Sequence, residues 1–110
     1  QHPELPHVTT ENSGIDIEVS PGSTTRAIFN GKVSAIFRQP GFNTIVMIRH
    51  GNYLTVYANL GDILVKNGEE VKLGQTIGRV YADPDDGNRS ILHFELRKER
   101  VKLNPMAWVK

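Results

Sequence analysis

The chain has 110 residues, 38% of them apolar, a formal net charge of +1 and no cysteine. That length carries one domain, with or without a short tail, and can bury a core without staples. The composition excludes disulfides, thiolate metal sites and a cysteine nucleophile, its scattered basic residues give no footprint for nucleic acid, and no apolar run is long enough to span a bilayer.

Residues 1–13 hold His2, Pro3, Pro6 and His7 without apolar periodicity and read as a flexible lead-in, with one domain over 14–110. From Gly14 onward the pattern is short alternating runs broken by turn residues. Ile15 and Ile17 alternate with Asp16 and Glu18, and Pro21-Gly22 marks a turn. Residues 26–29 read as a short strand, and Asn30-Gly31 as the strongest hairpin signal in the chain. A strand resumes over 32–38, with Val33, Ala35 and Phe37 on one side, and 39–43 is a loop around Pro40-Gly41. Residues 44–50 are strongly β, and Gly51-Asn52 turns them into a strand over 53–60. There Leu54, Val56, Ala58 and Leu60 oppose Tyr53, Thr55, Tyr57 and Asn59. Glycines 68, 74 and 78 lie between isolated Val and Ile residues, a spacing that suits tight turns between very short strands and not a helix. Residues 83–88 form a polar loop, 91–97 the last strand, and 104–108 a closing turn in which Trp108 covers an edge. The sum is an all-β domain of many short strands.

The strand over 91–97 carries the chemistry. Alternate side chains share a face, so Ile91, His93, Glu95 and Arg97 point one way and Leu92, Phe94 and Leu96 point toward a core. The polar face holds one imidazole, with an isoleucine where a second would stand. His93 reads as a histidine hydrogen-bonded near Asp16 or Asn12, and His50 as a strand-end residue. Asp83, Asp85 and Asp86 lack the spacing and closing Glu of a calcium loop and read as solvated.

The order of these pieces resembles the lysostaphin- and LytM-type zinc endopeptidases of bacterial cell walls, over roughly residues 12–108. Their His-x-Gly-x-Asp corresponds to Asn12-Ser13-Gly14-Ile15-Asp16, and their Thr-x-Tyr-Ala-His-Leu to Thr55-Val56-Tyr57-Ala58-Asn59-Leu60. Their Gly-punctuated Val-x-x-Gly stretch corresponds to residues 65–78, and their closing His-Leu-His-Phe-Glu to Ile91-Leu92-His93-Phe94-Glu95. The resemblance implies a compact LytM-type fold, a β-sandwich or barrel-like sheet with an open, polar-floored groove. It implies zinc-ligand positions at Asn12, Asp16 and His93, and auxiliary catalytic positions at Asn59 and Ile91. An amide is a poor zinc ligand, and isoleucine moves no proton. Three of the five positions have therefore lost their imidazole.

Such losses are shared with EnvC-type murein hydrolase activators. That resemblance implies a non-catalytic regulator without a cofactor, in the periplasm or cell envelope. It also implies a cell-wall amidase as partner, peptidoglycan as a further contact, and an upstream coiled coil and signal sequence outside these residues. The groove is expected to present Asn12, Asp16, Tyr57, Asn59 and His93, with Phe42 and its loop as a wall and Arg49 as a weaker contact. The alternative is a working zinc endopeptidase cutting peptidoglycan cross-bridges. A third reading, a lipoyl- or biotinyl-type carrier, draws on residues 65–80 but needs a hairpin-tip lysine. Lys32 is the one candidate, and its flanks do not fit.

Overall fold

The computed structural model describes residues 11–98. His2, His7 and the closing turn expected over 104–108 lie outside the described residues. The elements in order are β1 (Glu11–Val19), β2 (Thr24–Arg26), β3 (Gly31–Gln39), β4 (Asn43–His50), β5 (Tyr53–Ile63), β6 (Glu70–Val71), β7 (Thr76–Val80), β8 (Ala82–Asp83), a 3-10 turn (Pro84–Asp86) and β9 (Arg89–Lys98). All the strands join one open sheet of order β1-β9-β5-β4-β3-β6, with β7 bridging β5 and β2, and β8 lying on β9. The pairings are antiparallel throughout. The all-β expectation holds, with one continuous sheet in place of two separate ones.

Turn chemistry explains much of this order. His50 pairs with Tyr53 across the two-residue Gly51-Asn52 connection, and Gly51 supplies the positive φ of 64° that a tight hairpin needs. The glycine-spaced segment gives the two short strands β6 and β7, as its spacing predicts. β1 begins at Glu11, so residues 11–13, expected in the lead-in, pair with 96–98 of β9.

Asn30-Gly31 is not a hairpin. β2 pairs with β7, whereas β3 pairs with β4 and β6. Asn30 instead braces a corner: its side-chain oxygen accepts from the Leu73 amide at 2.7 Å, and its carbonyl accepts from His50 Nδ1 at 2.6 Å. Gly31 is required by packing, since a Cβ there would lie 2.5 Å from the Arg49 carbonyl oxygen. Lys32 therefore sits inside β3, opposite Arg49 and Glu70, and not at a hairpin tip. The carrier reading loses its attachment site.

Alternation along β4 and β5 gives the sheet two apolar faces. Val46, Ile48, Tyr57, Leu60 and Leu92 pack with Ala27, Val71, Ile77 and Val80 from the short strands laid over them. Burying each large aliphatic side chain of this set contributes about 1.5–3 kcal/mol. On the opposite face Ile45, Val56 and Ala58 form a smaller buried cluster, with Met47 packed against it.

Candidate functional site

β9 is an interior strand, flanked by β1 and β5, and its register fixes what each side chain meets. His93 is opposite Asp16 on one side and Ala58 on the other. Glu95 is opposite Gly14 and Val56, and Arg97 is opposite Asn12 and Leu54. The face carrying Ile91, His93, Glu95 and Arg97 therefore continues the smaller apolar cluster, not the main core.

His93 is held from both ends. Its Nδ1 lies 2.6 Å from Asp16 Oδ1 and its Nε2 lies 2.7 Å from Glu95 Oε2. Carboxylates only accept, so two ionised carboxylates favour the form of the ring in which both nitrogens donate, the imidazolium cation. Its pKa is raised by the hydrogen bond to Asp16 first and that to Glu95 second, against a smaller opposing effect of burial. Burial pushes the Glu95 carboxyl up, but hydrogen bonds from His93 and from Arg97 Nε at 2.9 Å outweigh it, and the pKa falls below the ordinary value. Of the two partners expected for His93, Asp16 or Asn12, Asp16 makes the bond, and Glu95 is a second clamp that the sequence does not single out. The i, i+2 spacing on one strand was the available signal.

Beside His93 is a cleft of about 130 Å³. Ile45, Met47, Val56 and Ala58 form its floor, Phe37 and Phe42 its walls, and His93, Glu95 and Arg97 its charged rim. The Phe42 ring leans on the His93 ring with centroids 5.5 Å apart. The floor is thus apolar, not polar as expected, because β4 and β5 turn their smaller apolar face to the groove.

Tyr57 is not in the groove. It pairs with Phe94, is 1% exposed, meets the Phe94 ring edge at 5.4 Å, and accepts a hydrogen bond from the Ile28 amide at 3.3 Å. Burial raises its phenol pKa. Its place among the groove residues is corrected: it belongs to the main core, one register step from Ala58, which does face His93.

Asn59 does reach the His93 side, through a backbone irregularity. Its φ is +69°, one of three positive values at non-glycine residues among those described. The side-chain amide donates to the Ile91 carbonyl at 2.7 Å and accepts from Asn43 Nδ2 at 2.6 Å. Its backbone amide donates to the Phe42 carbonyl at 2.7 Å. Asn59 and Ile91 then border a second, polar hollow with Asn43, Tyr81, Asp83 and Arg89. Asp83 caps the 3-10 turn by accepting from the Asp85 amide at 2.9 Å, and Arg89 joins Glu18 at 3.2 Å and Asp86 at 3.6 Å. His50 is structural: besides its bond to Asn30 it lies 2.8 Å from Thr55 Oγ1. Arg49, opposite Leu54, falls on the groove face by register.

Residues 10–105 match Peptidase family M23, and the chain belongs to that family. It is 33% identical over 109 residues to the lipoprotein YgeR of Escherichia coli K12, covering 96% of this chain and 43% of YgeR. It is 34% identical over 100 residues to the murein hydrolase activator NlpD of the same organism, covering 89% of this chain and 26% of NlpD. The chain thus spans less than half of either relative. Among solved structures, a zinc-containing peptidase from Vibrio cholerae superposes with a TM-score of 0.65 at 30% identity, over 79% of this chain and 27% of that one.

Zinc is the metal that the resemblance to LytM-type peptidases implies. Of the three ligand positions, Asp16 and His93 keep ligating side chains, and these two are bonded to each other. The third position is an amide, Asn12. Among the described residues no three His, Cys, Asp or Glu side chains are grouped to hold a metal ion. A tetrahedral zinc needs more nitrogen, sulfur or carboxylate donors than this set presents, and the residues do not fit it.

Proposed function

We propose that this domain is a non-catalytic regulator of peptidoglycan remodelling in the bacterial periplasm or envelope, which binds and activates a cell-wall amidase through its groove. The observation that carries this reading is the work done by Asn59. Where LytM-type peptidases place a catalytic histidine, this chain has an amide whose donor and acceptor are both spent on holding Ile91 and Asn43. Ile91, at the other auxiliary position, offers hydrocarbon. Neither residue can move a proton, while the groove beside His93 stays open. The likeness to NlpD, a murein hydrolase activator by name, supports the same role.

The mechanism is a population shift. An amidase that exists mainly in a blocked form is activated when the domain binds its open form more tightly, and the shift equals that difference in affinity. The partner meets His93 at the groove, Asp16 opposite it and Asn12 beside Arg97 by register, and Asn59 in the adjoining polar hollow.

The test is release of soluble muropeptides from purified sacculi by bacterial cell-wall amidases, with and without the domain. The expected result is several-fold stimulation of one amidase and no release by the domain alone. Stimulation of none would sink the activator role. Release by the domain alone, with stoichiometric zinc, would establish the peptidase reading that the likeness to the Vibrio cholerae enzyme favours.

A further inference from the structure

We infer that an apolar hollow bounded by Phe29, His50, Tyr53 and Leu96, on the side of the sheet away from the His93 cleft, is the docking site for this chain's own segment 99–110, with the Trp108 indole as its anchor. The inference stands independently of the amidase reading.

The hollow exists because the cover over the main core stops short of the end of β9. Thr55 is opposite Leu96, and Tyr57 is opposite Phe94. Directly opposed side chains share a face. Thr55 and Tyr57 are 0% and 1% exposed, so Phe94 and Leu96 look toward the main core, and alternation puts Tyr53 on the same face. Yet Phe29 is 51% exposed and Tyr53 41%. The space they enclose with His50 and Leu96 is about 600 Å³, where an apolar cavity of about 150 Å³ takes one benzene-sized group. Ile15 and Ile17, opposite Phe94 and Leu92, carry the same apolar face across β1 and are also exposed. Single exposed apolar residues are ordinary, but a contiguous group marks a contact surface.

Connectivity names the occupant. Lys98, the last residue of β9, is opposite Tyr53, a wall of the hollow. The chain runs on from there for twelve residues, among them Val101, Leu103, Met106, Trp108 and Val109. Trp108 is ten residues beyond Lys98, a reach of about 33 Å at full extension. Asn104-Pro105 supplies a turn on the way. A tethered segment meets the hollow at an effective concentration that a separate partner lacks. The other terminus joins β1 at Glu11, opposite Lys98, but residues 1–10 offer Leu5 and Val8 as their only aliphatic side chains. An indole suits the site, since its faces fill apolar space beside aromatic rings and its N–H asks for a single acceptor. Docking there closes the back of β9. The front, with His93, Glu95 and Arg97, is the side left for partners.

The experiment follows the emission of Trp108, the sole tryptophan, in the full chain. The expected spectrum is blue-shifted from that of the urea-unfolded chain, with iodide quenching about fivefold weaker. Nuclear Overhauser contacts should join the indole to Phe29, Tyr53 and Leu96. Phe29→Ser and Tyr53→Ser replace exposed side chains and should each move the emission toward the unfolded value, while the amide signals of β4 stay in place. Phe37→Ser, on the cleft side, should leave the emission unchanged. Equal quenching in the folded and unfolded chains would overturn the inference, as would protection that neither hollow variant alters. Indole contacts to Phe37 or Phe42, or contacts of the hollow with Leu5 or Val8, would overturn it as well. Protection that disappears on dilution would make a second copy the occupant and would also defeat it.

Discussion

The side-chain amide of Asn59 donates to the backbone carbonyl of Ile91 at 2.7 Å, tying β5 to β9. The same amide accepts from Asn43, and the left-handed backbone at Asn59 turns the side chain to this side. Asn59→Ala loses both hydrogen bonds and leaves a Cβ residue at φ +69°, at a cost of about 2–4 kcal/mol. Asn59→Gly keeps the backbone comfortable and loses the bonds alone, about 1–2 kcal/mol. Urea unfolding of the two variants checks this. Equal midpoints would mean that the backbone conformation contributes nothing.

The clamp on His93 makes stability depend on pH in two directions. The folded pKa of His93 is raised above 6.5, chiefly through Asp16 and Glu95. Its contribution is complete below about 6.5 and disappears as the pH rises through the folded value. For Glu95 burial acts upward, but the bonds from His93 and Arg97 leave its folded pKa below 4.5. Its contribution is complete above the unfolded value and is lost as the pH falls through the folded one. Both groups therefore contribute fully between about 4.5 and 6.5. The urea midpoint should be highest there and decline toward pH 9. His93→Gln should flatten the alkaline decline. An alkaline limb unchanged in that variant would assign the decline to other groups.

Tyr57 belongs to the core, so its substitutions report folding and not partner contact. Tyr57→Glu buries an unpaired charge among Val46, Leu60 and Phe94, and the domain should fail to fold. Tyr57→Phe removes one hydrogen bond to the Ile28 amide and should cost about 1 kcal/mol with partner binding unchanged. Circular dichroism with a binding assay on the Phe variant separates the roles. A folded Glu variant that had lost binding would return Tyr57 to the groove.

The fold was legible because its signals are local. Gly51-Asn52 makes the hairpin, the spaced glycines make two very short strands, and alternation along β9 puts His93 and Leu92 on opposite faces. What was not legible depends on register and close approach. Simple alternation put Tyr57 and Asn59 on one face, but the positive φ at Asn59 breaks that alternation. Only the pairing of Tyr57 with Phe94 and of Ala58 with His93 says which face of β5 borders the groove. The apolar floor was hidden for the same reason, since Met47 and Val56 look like core residues until register sets them beside Glu95. Asn30-Gly31 has the composition of a hairpin turn, yet the glycine is there because Arg49 and His50 press against it.

Thermal unfolding in chelator and in zinc tests the donor set without reference to catalysis. A ligand that binds only the folded state at one hundred times its dissociation constant adds about 2.7 kcal/mol. For a domain of this size each kcal/mol moves Tm by about 4–8 °C, so a micromolar site exposed to about 100 μM zinc would raise Tm by more than ten degrees. With Asp16 and His93 bonded to each other and an amide at position 12, the expected shift is about 1 °C or less. Asn12→His adds a third ligating side chain on the strand that carries Asp16, and zinc should then raise Tm measurably as it competes for His93 Nδ1. A shift of ten degrees in the unaltered chain would show that Asn12 or solvent completes a metal site, and the case for a non-catalytic groove would fall with it.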